Sequence, residues 1–154
     1  MTGKLKDEIK QGKPFASLEA EVMLNLMRTA DALSRGGEKI LKLAGLSHTR
    51  YNVLRILRGA GEGGLCCREV AERMITRDPD ITRLVDRLER RGLLARSRDR
   101  HDRRMITLRI TEAGRKILKD LDGPIEEYNR NRLSHMEKGD LRQLLQLLEA
   151  AREP

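Results

Sequence analysis

The chain has 154 residues, a formal net charge of +8 at pH 7 and three aromatic side chains, Phe15, Tyr51 and Tyr128. Its length fits one domain, or one small domain with an oligomerisation arm. The positive charge favours a polyanionic partner, either nucleic acid or an anionic membrane surface. The scarcity of aromatic rings argues against single-strand binding and the aromatic RNA modules, so duplex DNA remains among the nucleic acids.

No apolar run approaches the roughly 18 residues of a membrane span, and the N-terminal residues lack a hydrophobic signal core. We therefore expect a cytoplasmic protein without a membrane partner. The adjacent Cys66 and Cys67 do not resemble a disulfide framework. No cysteine lies at zinc-like spacing from His48, His101 or His135, and no catalytic or phosphate-binding signature occurs. We expect no metal, no cofactor and no enzyme activity.

The first predicted element is a long helix behind a flexible segment, residues 1–14. Ser17 can cap this helix, and apolar residues over 18–43 recur near helical spacing until Gly45 closes it. The glycine pair at 36–37 interrupts the pattern, since each glycine costs about 1 kcal/mol in a helix interior. We expect a kink there, or the close approach of a second chain.

Two further helices are predicted between this long helix and Asp78. Ser47 starts one of them, and glycines within residues 59–64 make the turn behind it. The other covers Cys66–Met74, where Glu69 lies at the spacing of a capping box. Cysteine is a poor substitute for the hydroxyl or carboxylate that usually caps a helix.

A fourth helix is predicted over Pro79–Arg91. Asp78 offers a carboxylate cap, and proline suits the first helical position. Apolar residues between Ile81 and Leu88 form one narrow stripe, so one face packs on a core and the other is exposed. The exposed face carries Thr82, Arg83, Asp86, Arg87 and Arg90.

A two-stranded hairpin is predicted after this helix, because residues 93–96 and 105–110 have strand-like patterns. The polar tip between the strands covers residues 97–104. Thr111 caps a fifth helix, in which Gly123-Pro124 marks a bend or a kink within a longer helix.

Arginine is concentrated in the middle of the chain. Residues 66–104 contain twelve Arg, eight acidic residues and no Lys. A planar guanidinium can grip guanine edges or phosphates at two points, so a helix-turn-helix with an Arg-tipped hairpin suits duplex DNA. The chain is only 38% apolar, yet Leu-rich helices lie at both ends, the last over 138–152. We therefore expect part of the core to form between two chains.

Five segments of the chain together form one recognisable pattern: residues 52–57 (NVLRIL), 69–74 (EVAERM), 81–93 (ITRLVDRLERRGL), 102–104 (DRR) and 111–114 (TEAG). Over about residues 17–150 this pattern resembles the MarR (multiple-antibiotic-resistance regulator) family of bacterial transcription factors. The resemblance implies a mostly α fold with a small β-hairpin wing (α+β), built as a winged helix-turn-helix plus a helical dimerisation region.

The resemblance also implies how the chain is divided and what it binds. After the flexible segment 1–14, which is predicted from the residues themselves, a dimerisation region is expected over 15–45 and 112–154, and the DNA-binding domain over 46–111. Two chains form a homodimer. A small aromatic or lipophilic effector binds in the crevice between the dimer helices and the DNA-binding lobe. In the family, such binding, or cysteine oxidation in some members, weakens DNA binding.

The fourth helix is expected to lie in the major groove with its N-terminal part against base edges. The alternative is that its arginines pair along the helix surface with Asp86 or Glu89. The candidates for base contact are Thr82, Arg83 and Arg87, and those for phosphate contact are Arg77 and Arg90.

The hairpin tip is expected to enter the flanking minor groove or to follow its phosphates, because narrow A·T-rich grooves attract cations. The candidates are Arg100, Arg103 and Arg104. Asp102 would be repelled by phosphate, so its expected role is to hold Arg104 or the tip amides by charge-assisted hydrogen bonds. The alternative is a merely solvated charged turn.

Two helix starts carry further candidates. Ser47 and Arg68 are candidates for phosphate contact, because amides at helix starts favour anions, although Ser47 also suits a plain capping role. Cys66 and Cys67 are candidates for redox sensing, since a helix N-terminus can lower a thiol pKa. Buried cysteine is also commonly just a small apolar residue.

These expectations combine into a sequence-specific DNA-binding transcriptional regulator, which we expect to be a repressor that a small-molecule effector releases. It would hold a pseudo-palindromic operator with half-sites about 10 bp apart. The alternative is a non-enzymatic architectural or interaction module that binds DNA or protein without an effector.

Overall fold

The computed structural model describes residues 4–99, 101–102 and 104–153, which are mostly helical with one antiparallel hairpin. The predicted fold class is therefore confirmed. No helix in these three ranges is long and apolar enough to cross a membrane. Two compact units divide after Gly37. The elements are α1 (Leu5–Glu8), α2 (Leu18–Leu43), α3 (His48–Ala60), α4 (Cys67–Arg73), α5 (Ile81–Arg90), β1 (Leu94–Arg98), β2 (Ile106–Ile110), α6 (Glu112–Arg132) and α7 (Lys138–Ala150).

The first unit contains α1 and the N-terminal part of α2. The predicted cap at Ser17 is confirmed, because its Oγ accepts the amide of Ala20 at 3.1 Å. Within residues 1–14, α1 forms a single helical turn and Leu5 is buried. A turn of four residues is too short to produce a hydrophobic period, so the sequence pattern does not indicate it. The flexibility of this segment stays a prediction.

The second unit is built around one apolar core. The apolar stripe predicted on the fourth helix faces this core, since Val85 and Leu88 of α5 are fully buried. Burial of this stripe fixes which side of α5 points to solvent. The other fully buried side chains come from the end of α2 and from α3, α4, β1, β2 and α6, and they include Leu41, Leu54, Leu57, Val70, Leu94, Leu108 and Leu118.

The predicted hairpin forms between β1 and β2, which pair antiparallel from Leu94 opposite Ile110 to Arg98 opposite Ile106. A third segment adds to its edge, because Leu65 and Leu108 exchange backbone hydrogen bonds of 3.0 and 2.7 Å. A bridge of one residue has no alternating pattern, so the sequence does not indicate this third segment. It attaches the glycine turn behind α3 to the base of the wing.

Helix α6 begins where the wing ends. Thr111 caps it, as predicted, because its Oγ1 accepts the amide of Gly114 at 3.1 Å. The same hydroxyl donates to the carbonyl oxygen of Gly92 at 2.6 Å, which joins the helix start to the end of α5. The helix continues through Pro124 to Arg132, so of the two possibilities at Gly123-Pro124, a bend or a position within a longer helix, the structure has the longer helix.

One ion pair connects α3 to α6 at the surface of the second unit. The guanidinium of Arg58 donates to both carboxylate oxygens of Asp122, at 2.8 and 2.9 Å. These hydrogen bonds lower the pKa of Asp122 and raise that of Arg58. Both side chains are substantially exposed, so solvent screening limits their contribution to stability.

Candidate nucleic-acid interface

The start of α5 differs from the prediction that Asp78 caps a helix over Pro79–Arg91. The helix begins at Ile81, and Asp80 caps it by accepting the amide of Arg83 at 3.0 Å. The carboxylate of Asp78 instead accepts the amide of Asp80 at 2.8 Å. The prediction is wrong because two carboxylates stand two residues apart, and the first folds back to form a turn before the second caps the helix.

The outward face of α5 carries the candidates for base contact. Thr82, Arg83, Arg87 and Arg90 are all exposed. None of the three arginines forms an ion pair with any residue in the described ranges. The alternative that they pair with acidic neighbours on the same helix therefore does not describe this arrangement. Their guanidinium donors remain available to a partner that supplies acceptors.

The two carboxylates of α5 have another partner, Arg96 of β1. Its Nη2 donates to Asp86 Oδ1, and its Nη1 lies 3.4 Å from Glu89 Oε1. The hydrogen bond with Asp86 is the main cause that raises the pKa of Arg96. No local pattern indicates these pairs, since they join a strand to a helix surface. The signal that the sequence does contain is an arginine in the strand that directly follows a helix with two carboxylates three residues apart.

The tip of the wing is organised by two aspartates. Asp99 Oδ1 accepts the amides of His101 at 2.7 Å and Asp102 at 3.4 Å, and the bond from His101 is the main cause that lowers the pKa of Asp99. Asp102 Oδ1 accepts the backbone amide of Arg104 at 2.9 Å. Of the two roles expected for Asp102, the geometry therefore corresponds to holding tip amides. Asp99 was not among the residues predicted for the tip, although an Asp two residues before an exposed amide is a known turn signal.

Of the three candidate arginines of the tip, Arg104 is among the described residues. Arg104 is exposed, and its backbone is held by Asp102. Arg100 and Arg103 lie outside the described residues. The described residues therefore show which carboxylates hold the backbone amides of the tip, and they show one of the three candidate side chains at the surface.

The remaining candidates for phosphate contact differ in their exposure and in their binding partners. Ser47 is half-buried and caps α3, because its Oγ accepts the amide of Arg50 at 3.3 Å. Arg68 is exposed on α4 and pairs with Glu72 at 3.0 Å. Arg77 is exposed in the turn before α5 and has no ion pair with a residue of the described ranges. Of these three candidates, Arg77 is therefore the one whose side chain is most available to a phosphate.

The adjacent cysteines lie at the start of α4. The capping-box spacing is reflected in the structure, because the amide of Cys66 donates to Glu69 Oε2 at 2.8 Å and lowers the pKa of Glu69. Both thiols are free and half-buried. Burial raises the pKa of Cys67, which reduces its thiolate population and hence its reactivity. The redox role of these cysteines stays a prediction.

Two further arginines hold the neighbouring elements in place. Arg91, directly after α5, donates to the carbonyl oxygens of Gly45 at 2.7 Å and Ala44 at 2.9 Å. Arg109 of β2 donates from its Nε to the carbonyl oxygen of Glu62 at 2.7 Å. The basic middle of the chain thus contains arginines bound to protein acceptors and arginines that project to solvent.

The chain is similar to known transcriptional regulators. The MarR family model matches residues 46–106. A crystal structure of a MarR transcription factor from Planctomyces limnophilus is 39% identical, with a TM-score of 0.68, and the match covers 89% of this chain and 99% of that one. The transcriptional repressor MprA of Escherichia coli is 27% identical over 94% of this chain and 84% of its own length. CouR from Rhodococcus jostii RHA1, solved with p-coumaroyl-CoA bound, is 28% identical with a TM-score of 0.74, covering 91% and 97% of the two chains.

Proposed function

Because this chain belongs to the MarR family of DNA-binding transcriptional regulators, we propose that it is a cytoplasmic, sequence-specific repressor. In this proposal a homodimer binds a pseudo-palindromic operator, and a small molecule releases it. The observation that carries the proposal is the outward face of α5, where Arg83, Arg87 and Arg90 project without acidic partners in the described ranges. The protein acts through binding and performs no catalysis.

In the proposed complex α5 lies in the major groove. Thr82 and Arg83, near its N-terminus, and Arg87, one turn later, face the base edges. Arg77, in the turn before the helix, and Arg90, its last residue, contact phosphates and set the register. Guanine is the preferred partner of such an arginine, because its O6 and N7 match the two donors of the guanidinium fork.

The wing follows the groove beside this contact. Arg104, together with Arg100 and Arg103, lies in the flanking minor groove or along its phosphates, where the negative potential is strong. Asp99 and Asp102 hold the backbone of the turn, which limits the entropy that the tip loses on binding. Ser47 and Arg68 are proposed to reach phosphates from the starts of α3 and α4, where helix amides favour anions.

The homodimer is supported by apolar surface on the terminal helices. In α2, Leu18, Met23 and Met27 are exposed, and in α7 Leu145 and Leu147 are exposed. Apolar faces of this kind mark association surfaces. We propose that residues 15–45 and 112–154 of two chains form the dimerisation region, while residues 46–111 bind DNA. Each α5 then meets one half-site, with the half-sites about 10 bp apart.

Release follows from a shift between dimer geometries. An effector that binds one geometry better makes that geometry more populated, and the spacing between the two α5 helices then no longer fits the operator. The proposed effector is small and aromatic or lipophilic, and its aromatic character is supported by CouR, which was solved with p-coumaroyl-CoA. Repression is supported by MprA, a repressor similar to this chain over most of its length.

The test is a comparison of two duplexes over a range of salt concentrations. A site selected from random duplexes should bind at least about a thousandfold more tightly than a scrambled duplex of the same composition. The affinity for both should fall steeply with salt, with a slope of about −0.9 in log–log form for each phosphate contacted. Equal affinity for the two duplexes would favour the architectural module instead, and a flat salt response would exclude the proposed phosphate contacts.

A further inference from the structure

The surface of α5 carries two carboxylates, and both are partners of Arg96. Asp86 and Glu89 lie three residues apart on this helix and are therefore neighbours on its surface. Arg83 and Arg90 lie within reach of Asp86, three residues before it and four after it. Without another partner, the carboxylate of Asp86 would attract these guanidinium groups, and both carboxylates would repel phosphate.

Arg96, which lies on the neighbouring strand β1, binds both carboxylates. One arm of its guanidinium hydrogen-bonds Asp86 and the other lies 3.4 Å from Glu89. The Arg96 side chain is 27% exposed, and its partners are 39% and 41% exposed. This partial burial reduces screening compared with fully exposed pairs. A lysine could not reproduce the arrangement, because the planar fork of arginine serves two acceptors in fixed directions.

We propose that Arg96 is a positioning residue for operator recognition. It pairs with Asp86 and Glu89, and the arginines on the outward face of α5 therefore remain free to contact DNA. The inference deepens the proposed function and depends on it. Arg96 itself contacts no base or phosphate in this scheme, and it acts only through the two carboxylates.

The inference predicts a loss of site preference that a second substitution reverses. In Arg96→Gln, Asp86 is released to pair with α5 arginines, so the preference for the selected site over the scrambled duplex should fall about fivefold. Adding Asp86→Asn removes the stronger competing carboxylate and restores the net charge of the unmodified chain. The double variant should therefore regain most of the lost preference. Affinities of both variants would be measured on both duplexes at several salt concentrations, with thermal unfolding recorded in parallel.

Arg58→Gln provides the matched control. Its side chain forms a comparable half-exposed pair with Asp122, but between α3 and α6. The substitution removes the same charge and one ion pair, so it should alter both affinities alike and leave the preference unchanged. A loss of preference that merely reflects weaker folding would appear in this control as well.

The possible outcomes separate the inference from competing explanations. Unchanged preference in Arg96→Gln overturns it. A loss that the second substitution does not reverse also overturns it, and a salt slope reduced by about 0.9 would then identify Arg96 as a direct phosphate contact. If Arg96→Gln does not fold, Arg96→Lys with and without Asp86→Asn makes the same comparison with a smaller expected loss. If the unmodified protein shows no preferred site, the proposed function itself fails.

Discussion

Replacing Arg83 with alanine is expected to weaken binding to the selected operator by about ten- to a hundredfold, as follows from the loss of one bidentate base contact. Arg83 is exposed on the outward face of α5, while its own amide is fixed by Asp80 at the helix start. The side chain is thus presented from a rigid point at the start of the helix that we propose to lie in the groove. Fluorescence anisotropy with the selected and scrambled duplexes would measure the effect.

The selected duplex should be affected more than the scrambled one, because base contacts specify and phosphate contacts position. Arg130→Ala removes an equally charged, exposed side chain from α6 and should change both affinities only slightly. If Arg83→Ala binds the selected site as tightly as the unmodified protein, α5 does not lie in the groove as proposed. An equal loss on both duplexes would instead assign Arg83 to a phosphate.

Replacing Gly114 with alanine is expected to lower the free energy of unfolding by about 3 kcal/mol, at the upper end of the effects of overpacking. A Cβ at this position would lie 2.2 Å from the carbonyl oxygen of Leu93 and 2.7 Å from Cγ1 of Ile110. The carbonyl cannot easily move, because it also accepts the amide of Thr111 at 3.1 Å. The start of α6 and the base of the wing would therefore have to separate.

Urea unfolding of the unmodified protein and the variant would measure this change. Gly59→Ala is the control, since Gly59 lies in α3 and a Cβ there would meet nothing within 4 Å. Alanine should be neutral at that position or stabilise the helix by up to about 1 kcal/mol. Equal stabilities of the Gly114→Ala variant and the unmodified protein would show that the close packing at this junction is not required.

The sequence predicted those features that depend on local chemistry. Ser17 and Thr111 were identifiable as helix caps because their hydroxyls accept an amide three residues later. The buried side of α5 followed from the spacing of Val85 and Leu88. The choice between Asp78 and Asp80 as the cap of α5 could not be made in this way, because both carboxylates suit a helix start and only the turn geometry distinguishes them.

Sequence composition does not distinguish arginines that bind protein acceptors from arginines that remain available to DNA. Arg91 and Arg96 belong to the same basic segment as Arg83 and Arg87, but they bind protein acceptors from neighbouring elements. Their partners lie in the turn after α2 for Arg91 and on α5 for Arg96, so the pairing depends on how these segments pack. Arg109 is a third example, since it reaches the glycine turn behind α3. Positive charge therefore indicated the partner, while the packing determines which guanidinium groups are available to it.

Sequence-specific binding by this chain, as proposed, depends on contact between the guanidinium groups of α5 and the major-groove edge of the operator. The most direct measurement replaces each guanine of the selected site in turn with 7-deazaguanine, which lacks the N7 acceptor but keeps Watson–Crick pairing. We predict that one guanine in each half-site becomes sensitive, with about tenfold weaker binding to the unmodified protein, and that this sensitivity disappears in Arg83→Ala. Unchanged binding at every substituted guanine would contradict major-groove recognition by α5.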